Sequence, residues 1–289
     1  MAAFAWTKLA RPLAHGQLSS RMNTIESGAR EARDAAAGAP GKRAYVQRMF
    51  SEIAPRYDLL NRVLSAGVDR SWRRTALEWL GWRRRPGGTY LDLCSGTLDV
   101  AAVLASSPGF CGRVFGADFA EPMLRAGRGK AVGLALQPVV ADALALPLAD
   151  GMCDGAIVAF GIRNVANLDA ALAEVRRVLA PGAAFVILEI STPRVPLLRS
   201  GYLFYFRHVL PLIGRLVSGH PTAYRYLPES VRAFPESEAL AARMRTAGFS
   251  DVRWRSLSLG IAAIHSGVRG GVFAGGVADA TSLAEAGAR

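Results

Sequence analysis

Hydrophobic positions along this chain change period several times. Over 44–65, Val46, Met49, Phe50, Ile53, Tyr57, Leu60, Val63 and Leu64 recur near helical spacing, and Gly67 is a plausible stop. A second helix is predicted over 69–81 from Trp72, Leu77, Trp79 and Leu80. After the turn Pro86-Gly87-Gly88, Thr89–Cys94 (TYLDLC) reads as a short strand. A helix follows over 98–106, then a strand at Arg113–Phe119 and a helix at Glu121–Lys130. Val139-Val140 begins a short strand, and Gly155–Phe160 reads as a buried one. Residues 168–179 place Leu168, Leu172, Val175 and Leu179 on one helical face, and Pro181-Gly182 turns the chain into the apolar strand Ala184–Ile190. Strands alternating with helices of this length predict an α/β fold, a parallel sheet covered on both faces. The end differs: a helix at 236–247, then two adjacent strands, 252–258 and 260–267, meeting at Gly260. That predicts a terminal antiparallel hairpin.

Residues 1–42 are rich in Gly, Ala and polar residues and read as a flexible arm. The first 25 carry Lys8, Arg11 and Arg21 and no acid, so a targeting segment is the alternative. The Gly/Ala-rich stretch 270–289 reads as a flexible tail. No segment qualifies as a transmembrane helix: the best candidate, Gly201–Val217, is interrupted by Arg207, His208, Pro211 and Arg215.

Composition adds two constraints. Hydrophobic residues make up 51% of the 289, which excludes a mainly disordered chain. Cys94, Cys111 and Cys153 form no CxxC pair, so neither a disulfide scaffold nor a structural zinc site is expected, and the thiols read as buried small hydrophobes. With 35 basic and 23 acidic side chains the net charge is +12, which favours anionic surfaces, lipid or nucleic acid.

The chemistry concentrates after the first strand, in Leu91-Asp92-Leu93-Cys94-Ser95-Gly96-Thr97-Leu98-Asp99. Small residues there let a ligand approach the backbone, and the following helix offers free N–H groups. Twenty-two residues after Gly96, Asp118 ends the next strand, where a carboxylate can accept two hydrogen bonds from a ribose diol. Asp142-Ala143 ends the third strand, followed by Leu144, Leu146 and Pro147, a setting for an adenine ring and its amino group. The phosphate-binding pattern G-x-G-x-x-G is absent. An adenosine site with no pyrophosphate cradle favours S-adenosylmethionine over NAD.

Several blocks carry a family resemblance. They are Met49-Phe50-Ser51-Glu52-Ile53-Ala54-Pro55-Arg56-Tyr57-Asp58-Leu59-Leu60-Asn61, Leu64-Ser65, Trp72-Arg73, Ala159-Phe160-Gly161-Ile162-Arg163-Asn164-Val165, and Tyr224-Arg225-Tyr226-Leu227-Pro228-Glu229-Ser230-Val231. From about Tyr45 to Val268 the chain resembles the quinone C-methyltransferases that methylate demethylmenaquinol or the benzoquinol precursor of ubiquinone. The resemblance implies a class I S-adenosylmethionine-dependent methyltransferase, with a seven-stranded, mostly parallel sheet and a terminal antiparallel hairpin. It implies a methyltransferase domain at 43–269 with a substrate-side helical insertion at 192–234. It aligns Thr97, Asp118, Asp142 and Ala143, beside Gly96, with positions that contact the cofactor. Two positions depart from the family pattern. Ala159 stands where serine is frequent, and Leu98 replaces a loop glycine, which predicts a negative φ or a rearranged turn.

The implied reaction is methyl transfer from a sulfonium to a ring carbon of a prenylated quinol, demethylmenaquinol first and the benzoquinol as alternative. Tyr57, Arg163 and Asn164 are the substrate-side candidates. Arg163 would stabilise a phenolate, with a structural ion pair as its alternative role; Tyr57 would otherwise be a core aromatic. His208 has a suitable pKa range for proton transfer, although a lone His in an apolar helix is more often packed. Residues 194–217 interleave aromatic and aliphatic side chains with Arg194, Arg199, Arg207 and Arg215. They suit an isoprenoid tunnel, an anionic bilayer surface, or a cap or dimer contact. The expected location is the cytoplasm at a membrane surface, or the mitochondrial matrix or a plastid if 1–42 is a transit peptide. A homo-oligomer or a quinone-biosynthesis complex is compatible. Two other classes compete. An RNA methyltransferase would use Trp82-Arg83-Arg84-Arg85, but no Asn/Asp-Pro-Pro-aromatic motif is present, so no nucleic-acid partner is expected. A non-catalytic cofactor-binding scaffold is the other.

Overall fold

A computed structural model describes residues 27–65, 67–193, 195–205 and 223–271. Seven strands form one sheet: β1 (Thr89–Leu93), β2 (Arg113–Asp118), β3 (Leu136–Val140), β4 (Cys153–Ala159), β5 (Leu179–Ile190), β6 (Phe249–Leu257) and β7 (Ala262–Arg269). Their order is β3-β2-β1-β4-β5-β7-β6. β1 to β5 are mutually parallel, and β7 runs antiparallel to both β5 and β6. This is the expected mostly parallel sheet ending in an antiparallel hairpin.

Alternation within the strands decides which side chain meets which layer. Leu91, Phe115, Val158 and Phe185 point to one face and pack with Leu172, Val175, Leu240 and Met244. Those four come from α7 (Leu168–Val178) and α10 (Ser237–Thr246). Tyr90, Val114, Ile157 and Val186 point to the other face, against Leu77, Leu80, Leu104 and Leu124. That layer is α4 (Asp69–Leu80), α5 (Asp99–Ala105) and α6 (Glu121–Ala131). Both faces of the central strands are buried, which is why they read as apolar runs. Each fully buried aliphatic side chain contributes about 1.5–3 kcal/mol.

The structure redraws three expected elements. The helix expected over 44–65 is interrupted: α2 (Lys42–Ile53) gives way to a 3-10 turn at Ala54–Arg56, and α3 (Tyr57–Ser65) resumes. Pro55 is the cause, because its ring displaces the preceding carbonyl and it has no N–H to donate. β3 ends at Val140 rather than beginning at Val139, and contains Pro138; it is an edge strand, where proline is tolerated. Finally, part of the expected flexible arm is helical. α1 spans 27–36 and buries Ala32, Ala35 and Ala36 against Tyr45 and Val46. Alanines at i, i+3 and i+4 give a helix a smooth face that approaches closely.

α8 (Pro196–Phe204) and α9 (Ala223–Ala233) belong to the expected substrate-side insertion. Arg194 and 206–217, with Arg207, His208 and Arg215, lie outside the described residues, as do the targeting-segment residues Lys8, Arg11 and Arg21 and the tail from 272 onward.

Candidate active site

The strand order reverses at β1, whose neighbours are β2 on one side and β4 on the other. Such a switch point leaves a crevice beyond the carboxyl ends of the strands. A cleft partly open to solvent lies there. Gly96 after β1, Asp118 and Phe119 at β2, Asp142 and Ala143 after β3, and Ala159 to Gly161 at β4 line it, with Tyr57, Asn164 and Arg43.

The loop after β1 is built on left-handed backbone. Cys94, Gly96 and Leu98 have φ of 51°, 53° and 67°. Leu98 thus adopts the left-handed conformation that favours glycine, and the expected negative φ is not found. Its side chain is fully buried in the α4–α5 layer. Space for it is made at Gly116, where an added Cβ would fall 2.5 Å from Leu98 Cδ2. Beneath the loop, Asp92 Oδ2 accepts from Ser95 Oγ at 2.9 Å and from Ala101 N at 3.0 Å. Burial pushes its pKa up to about 7 despite those two bonds.

Asp118 is only 7% exposed. Oδ2 accepts from Gly96 N and Oδ1 from Ala120 N, both at 2.8 Å. Burial raises its pKa, opposed by the backbone bonds from Ala120, Gly96 and Phe119. The carboxylate therefore fixes the β1 loop and still has lone pairs for a ligand diol. Asp142 Oδ1 accepts from Leu144 N at 3.0 Å, closing a turn, while Oδ2 accepts from Arg43 Nε at 2.6 Å. Arg43, which carries no sequence signal, brings α2 across the cleft. Gln47 Nε2, on the same helix, donates to Phe119 O at 3.1 Å.

Thr97 is placed elsewhere. It does not line the cleft, and its hydroxyl donates to Asp58 Oδ1 and accepts from Lys130 Nζ at 3.2 Å. Lys130 also bridges Asp58 at 2.6 Å and Asp99 at 2.5 Å, and Arg73 bridges Asp99 at 2.8 Å and Asp69 at 3.0 Å. Burial opposes the Asp58 charge, but Lys130 and Thr97 more than offset it and hold the carboxyl below its usual range. The network ties α3, α4, α5 and α6 together behind the loop.

On the other side, a 3-10 turn at Ile162–Asn164 follows β4. Asn164 lines the cleft and its Oδ1 is buried without a hydrogen-bond partner. Arg163 does not line the cleft; it is buried and pairs with Glu189 Oε1 of β5 at 2.6 Å. Its guanidinium also donates to Phe160 O. Burial disfavours the Arg163 charge, and the Glu189 carboxylate reverses that and raises the pKa. The ion-pair reading of Arg163 is therefore realised. Glu189 was not anticipated, although a lone acid in AFVILEI signals a buried partner. Lys42 Nζ donates to Arg163 O at 2.9 Å, and burial lowers its pKa. Tyr57 stands over the β1 loop, its ring edge 3.7 Å from where a Gly96 Cβ would lie. Burial raises its pKa, so it is a neutral hydroxyl. Cys94 also lines the cleft, and burial pushes its thiol well above the usual range, so it is an unreactive wall.

The residues fit an adenosine-type sulfonium. Two carboxylates end successive strands, bare backbone at Gly96 forms the floor, and the buried Asn164 Oδ1 lacks a partner. In the basic cluster at 82–85, Trp82 is buried under the stacked Arg83 guanidinium and Arg85 pairs with Asp154, while Arg83 and Arg84 are exposed.

Comparison with known proteins bears on this geometry. A demethylmenaquinone methyltransferase of Thermus thermophilus is 53% identical over 224 residues, covering 76% of this chain and 100% of the relative. A ubiquinone/menaquinone biosynthesis C-methyltransferase UbiE of Geobacter sulfurreducens is 45% identical over 229 residues, 78% of this chain and 88% of that one. Among solved structures, an S-adenosylmethionine-dependent methyltransferase from Thermotoga maritima matches 78% of this chain and 99% of its own, with a TM-score of 0.56 at 18% identity, which shows the fold to be that of class I methyltransferases. The model of the ubiE/COQ5 methyltransferase family matches residues 39–269, and the chain belongs to that family.

Proposed function

We propose that this chain transfers the methyl group of S-adenosylmethionine to a ring carbon of a prenylated quinol, and that demethylmenaquinol is the substrate. The observation that carries the reading is the junction of two half-sites in one cleft: Asp118 and Asp142 line it on one side, and Asn164, next to the buried Arg163, lines it on the other. The naphthoquinol assignment is supported by the 53% identity to a demethylmenaquinone methyltransferase whose whole length is matched.

When bound, the cofactor supplies an electrophilic methyl on a sulfonium. Asp118 holds the ribose diol, Asp142 and Ala143 hold the adenine edge, and the Gly96 backbone lets the chain approach closely. A quinol carbon gains nucleophilicity as its hydroxyl loses a proton. Arg163, oriented by Glu189, stabilises the resulting phenolate, and Asn164 Oδ1 accepts from a hydroxyl. Tyr57 packs between the two half-sites and fixes the line of attack, which is worth orders of magnitude in rate. Transfer would form the carbon–carbon bond as the carbon–sulfur bond breaks, leaving the neutral thioether, and the proton displaced from the ring carbon would pass to water.

The test is an anaerobic assay with S-adenosylmethionine and either a short-chain demethylmenaquinol or the demethylated benzoquinol, with products identified by mass spectrometry. Preferred methylation of the naphthoquinol supports the reading. Preferred methylation of the benzoquinol moves the substrate, and methylation of neither favours the scaffold. Asp118→Asn keeps an acceptor for Gly96 but loses the charge; affinity for the cofactor should fall about 10–100-fold by calorimetry, as for a lost charge-assisted bond of ~1.5–3 kcal/mol. Unchanged affinity would exclude Asp118 from the diol site.

The substrate is nearly insoluble in water, so we place its delivery at a bilayer. No helix among the described residues is long and apolar enough to cross a membrane. The cleft end of the sheet instead exposes Leu259 (76%), Phe204 (60%) and Val195 (54%), in a protein of net charge +12. Ser191, in the lead to α8, donates to Gly260 O at 2.7 Å and keeps the hairpin tip beside that segment. We place residues 192–234 as the substrate side on these grounds. Liposomes with anionic lipid should co-sediment the protein at low salt and release it near 1 M, where screening is nearly complete. Equal, negligible binding to anionic and neutral vesicles would reject docking.

A further inference from the structure

The charged network behind the β1 loop has no step in the methyl transfer, yet one neighbour connects it to the cleft. Two carboxylates from different helices share one ammonium: Lys130 Nζ lies 2.6 Å from Asp58 Oδ2 and 2.5 Å from Asp99 Oδ1. The Thr97 hydroxyl, on the loop itself, donates to Asp58 and accepts from Lys130. Arg73 bonds Asp99 and Asp69, so the cation bonded to Asp58 is Lys130.

Glycine brings α6 close enough for this. Gly127 precedes Lys130 by three residues and shares its face of the helix. An added Cβ there would lie 2.3 Å from Thr97 O and 2.5 Å from Thr97 C, backbone atoms that cannot move aside. The helix therefore rests on the loop, and its ammonium continues to α3.

Asp58 directly follows Tyr57 at the start of α3. The Tyr57 hydroxyl is hydrogen-bonded to Asn61, one turn on in the same helix, so the direction of the ring is set within α3. Where α3 sits then decides where the ring stands. Tyr57 and Gly96 both line the cleft, and the ring edge is 3.7 Å from where a Gly96 Cβ would lie. A bonded route thus runs from α6 through Lys130 and Asp58 to the side chain over the Gly96 floor. Without the ammonium, Asp58 and Asp99 would face each other and repel, and α3 would move off the loop.

We infer that Asp58 and Lys130 are positioning residues for the cofactor: they hold Tyr57 at a fixed height over Gly96 and so set the width of the cleft at the β1 loop. The inference uses the cofactor assignment of the cleft and not the quinol reading. The competing anchor for Tyr57 is apolar, its edge-on packing with Phe50 at 5.9 Å.

Calorimetric titration of S-adenosylhomocysteine into the full chain, well below its melting temperature, separates the two anchors without turnover. Lys130→Met should weaken binding about 10-fold, within the range of couplings in a shared polar network. Lys130→Arg, which keeps a positive charge between the carboxylates, should restore most of that loss. Tyr57→Ala should weaken binding too, and in its background Lys130→Met should add less than about 2-fold, because the ring it positions is gone. If Lys130→Met does not fold, Asp58→Asn supplies the same comparison, since it keeps an acceptor for Thr97 and loses the charge. A lowered melting temperature with parental affinity would leave Phe50 as the anchor and overturn the inference. Equal losses with and without the Tyr57 ring would overturn it as well, because the loop alone would then transmit the effect. A parent chain that does not bind S-adenosylhomocysteine would remove the cofactor assignment and the inference with it.

Discussion

Replacing Glu189 by alanine is expected to remove about 3–5 kcal/mol of stability, the cost of leaving a buried partner charge uncompensated. The glutamate side chain is 2% exposed and that of Arg163 8%. Besides the 2.6 Å ion pair, Glu189 Oε1 accepts from Ile190 N at 2.9 Å and Oε2 from Arg163 N at 3.3 Å. Alanine would strand the guanidinium and two backbone donors together. Arg163→Met should cost less, because a carboxyl left alone can take up a proton while a guanidinium cannot readily lose one. The double variant with Glu189→Met and Arg163→Met should recover much of the loss, since apolar replacement of both members of a buried pair is often near neutral. Its methyl transfer should nevertheless stay negligible. Urea unfolding gives the stabilities and single-turnover assays the chemistry. A Glu189→Ala protein as stable as the parent would show that Arg163 does not depend on this partner. A double variant that is stable and fully active would remove Arg163 from the reaction.

What the sequence showed and what it hid divide along physical lines. Strands such as Leu91–Leu93 and Gly155–Val158 were legible because both faces of a central parallel strand are apolar and small residues end the run. Asp118 and Asp142 were legible for the same reason, as acids where a buried strand meets solvent. The break at Pro55 was also open to reading, but the apolar period continues through it and masks the interruption. α1 was hidden by its composition: Ala32, Ala35 and Ala36 barely differ in hydrophobicity from a Gly/Ala-rich arm, and only their spacing marks a buried face. Thr97 shows where local reading stops. Its fate is decided by Asp58 and Lys130, 39 and 33 residues away, which meet only in the folded chain. Arg43 is the converse, an ordinary helical arginine in sequence that acquires a site role because α2 crosses above Asp142. Glu189 lay between these extremes, since a charge inside an apolar strand requires a partner but does not name it.

Leu98→Gly restores the residue that the family pattern expects at this loop position, and it should still destabilise the protein. Two effects oppose each other. A non-glycine residue at φ 67° costs about 1–2 kcal/mol, which glycine would relieve. Against that stands the loss of a fully buried leucine, for which truncation to alanine alone costs about 2–5 kcal/mol. The second is larger, so a net loss of about 1–3 kcal/mol is expected in urea unfolding, with little change in cofactor affinity because the left-handed turn is retained. Gly116 supplies an internal check. Its absent side chain leaves the volume that Leu98 fills: an added Cβ would lie 2.5 Å from Leu98 Cδ2 and 2.9 Å from Ser95 Oγ. Gly116→Ala alone should therefore be destabilising through overpacking. In the Leu98→Gly background the leucine clash is gone and the added methyl occupies part of the hole. The two substitutions should couple favourably by about 0.5–3 kcal/mol in a double-mutant cycle. A Leu98→Gly protein more stable than its parent would mean that backbone strain outweighs packing in this loop. Strict additivity of the pair would mean that Gly116 is small for some other reason, such as its contact with Ser95.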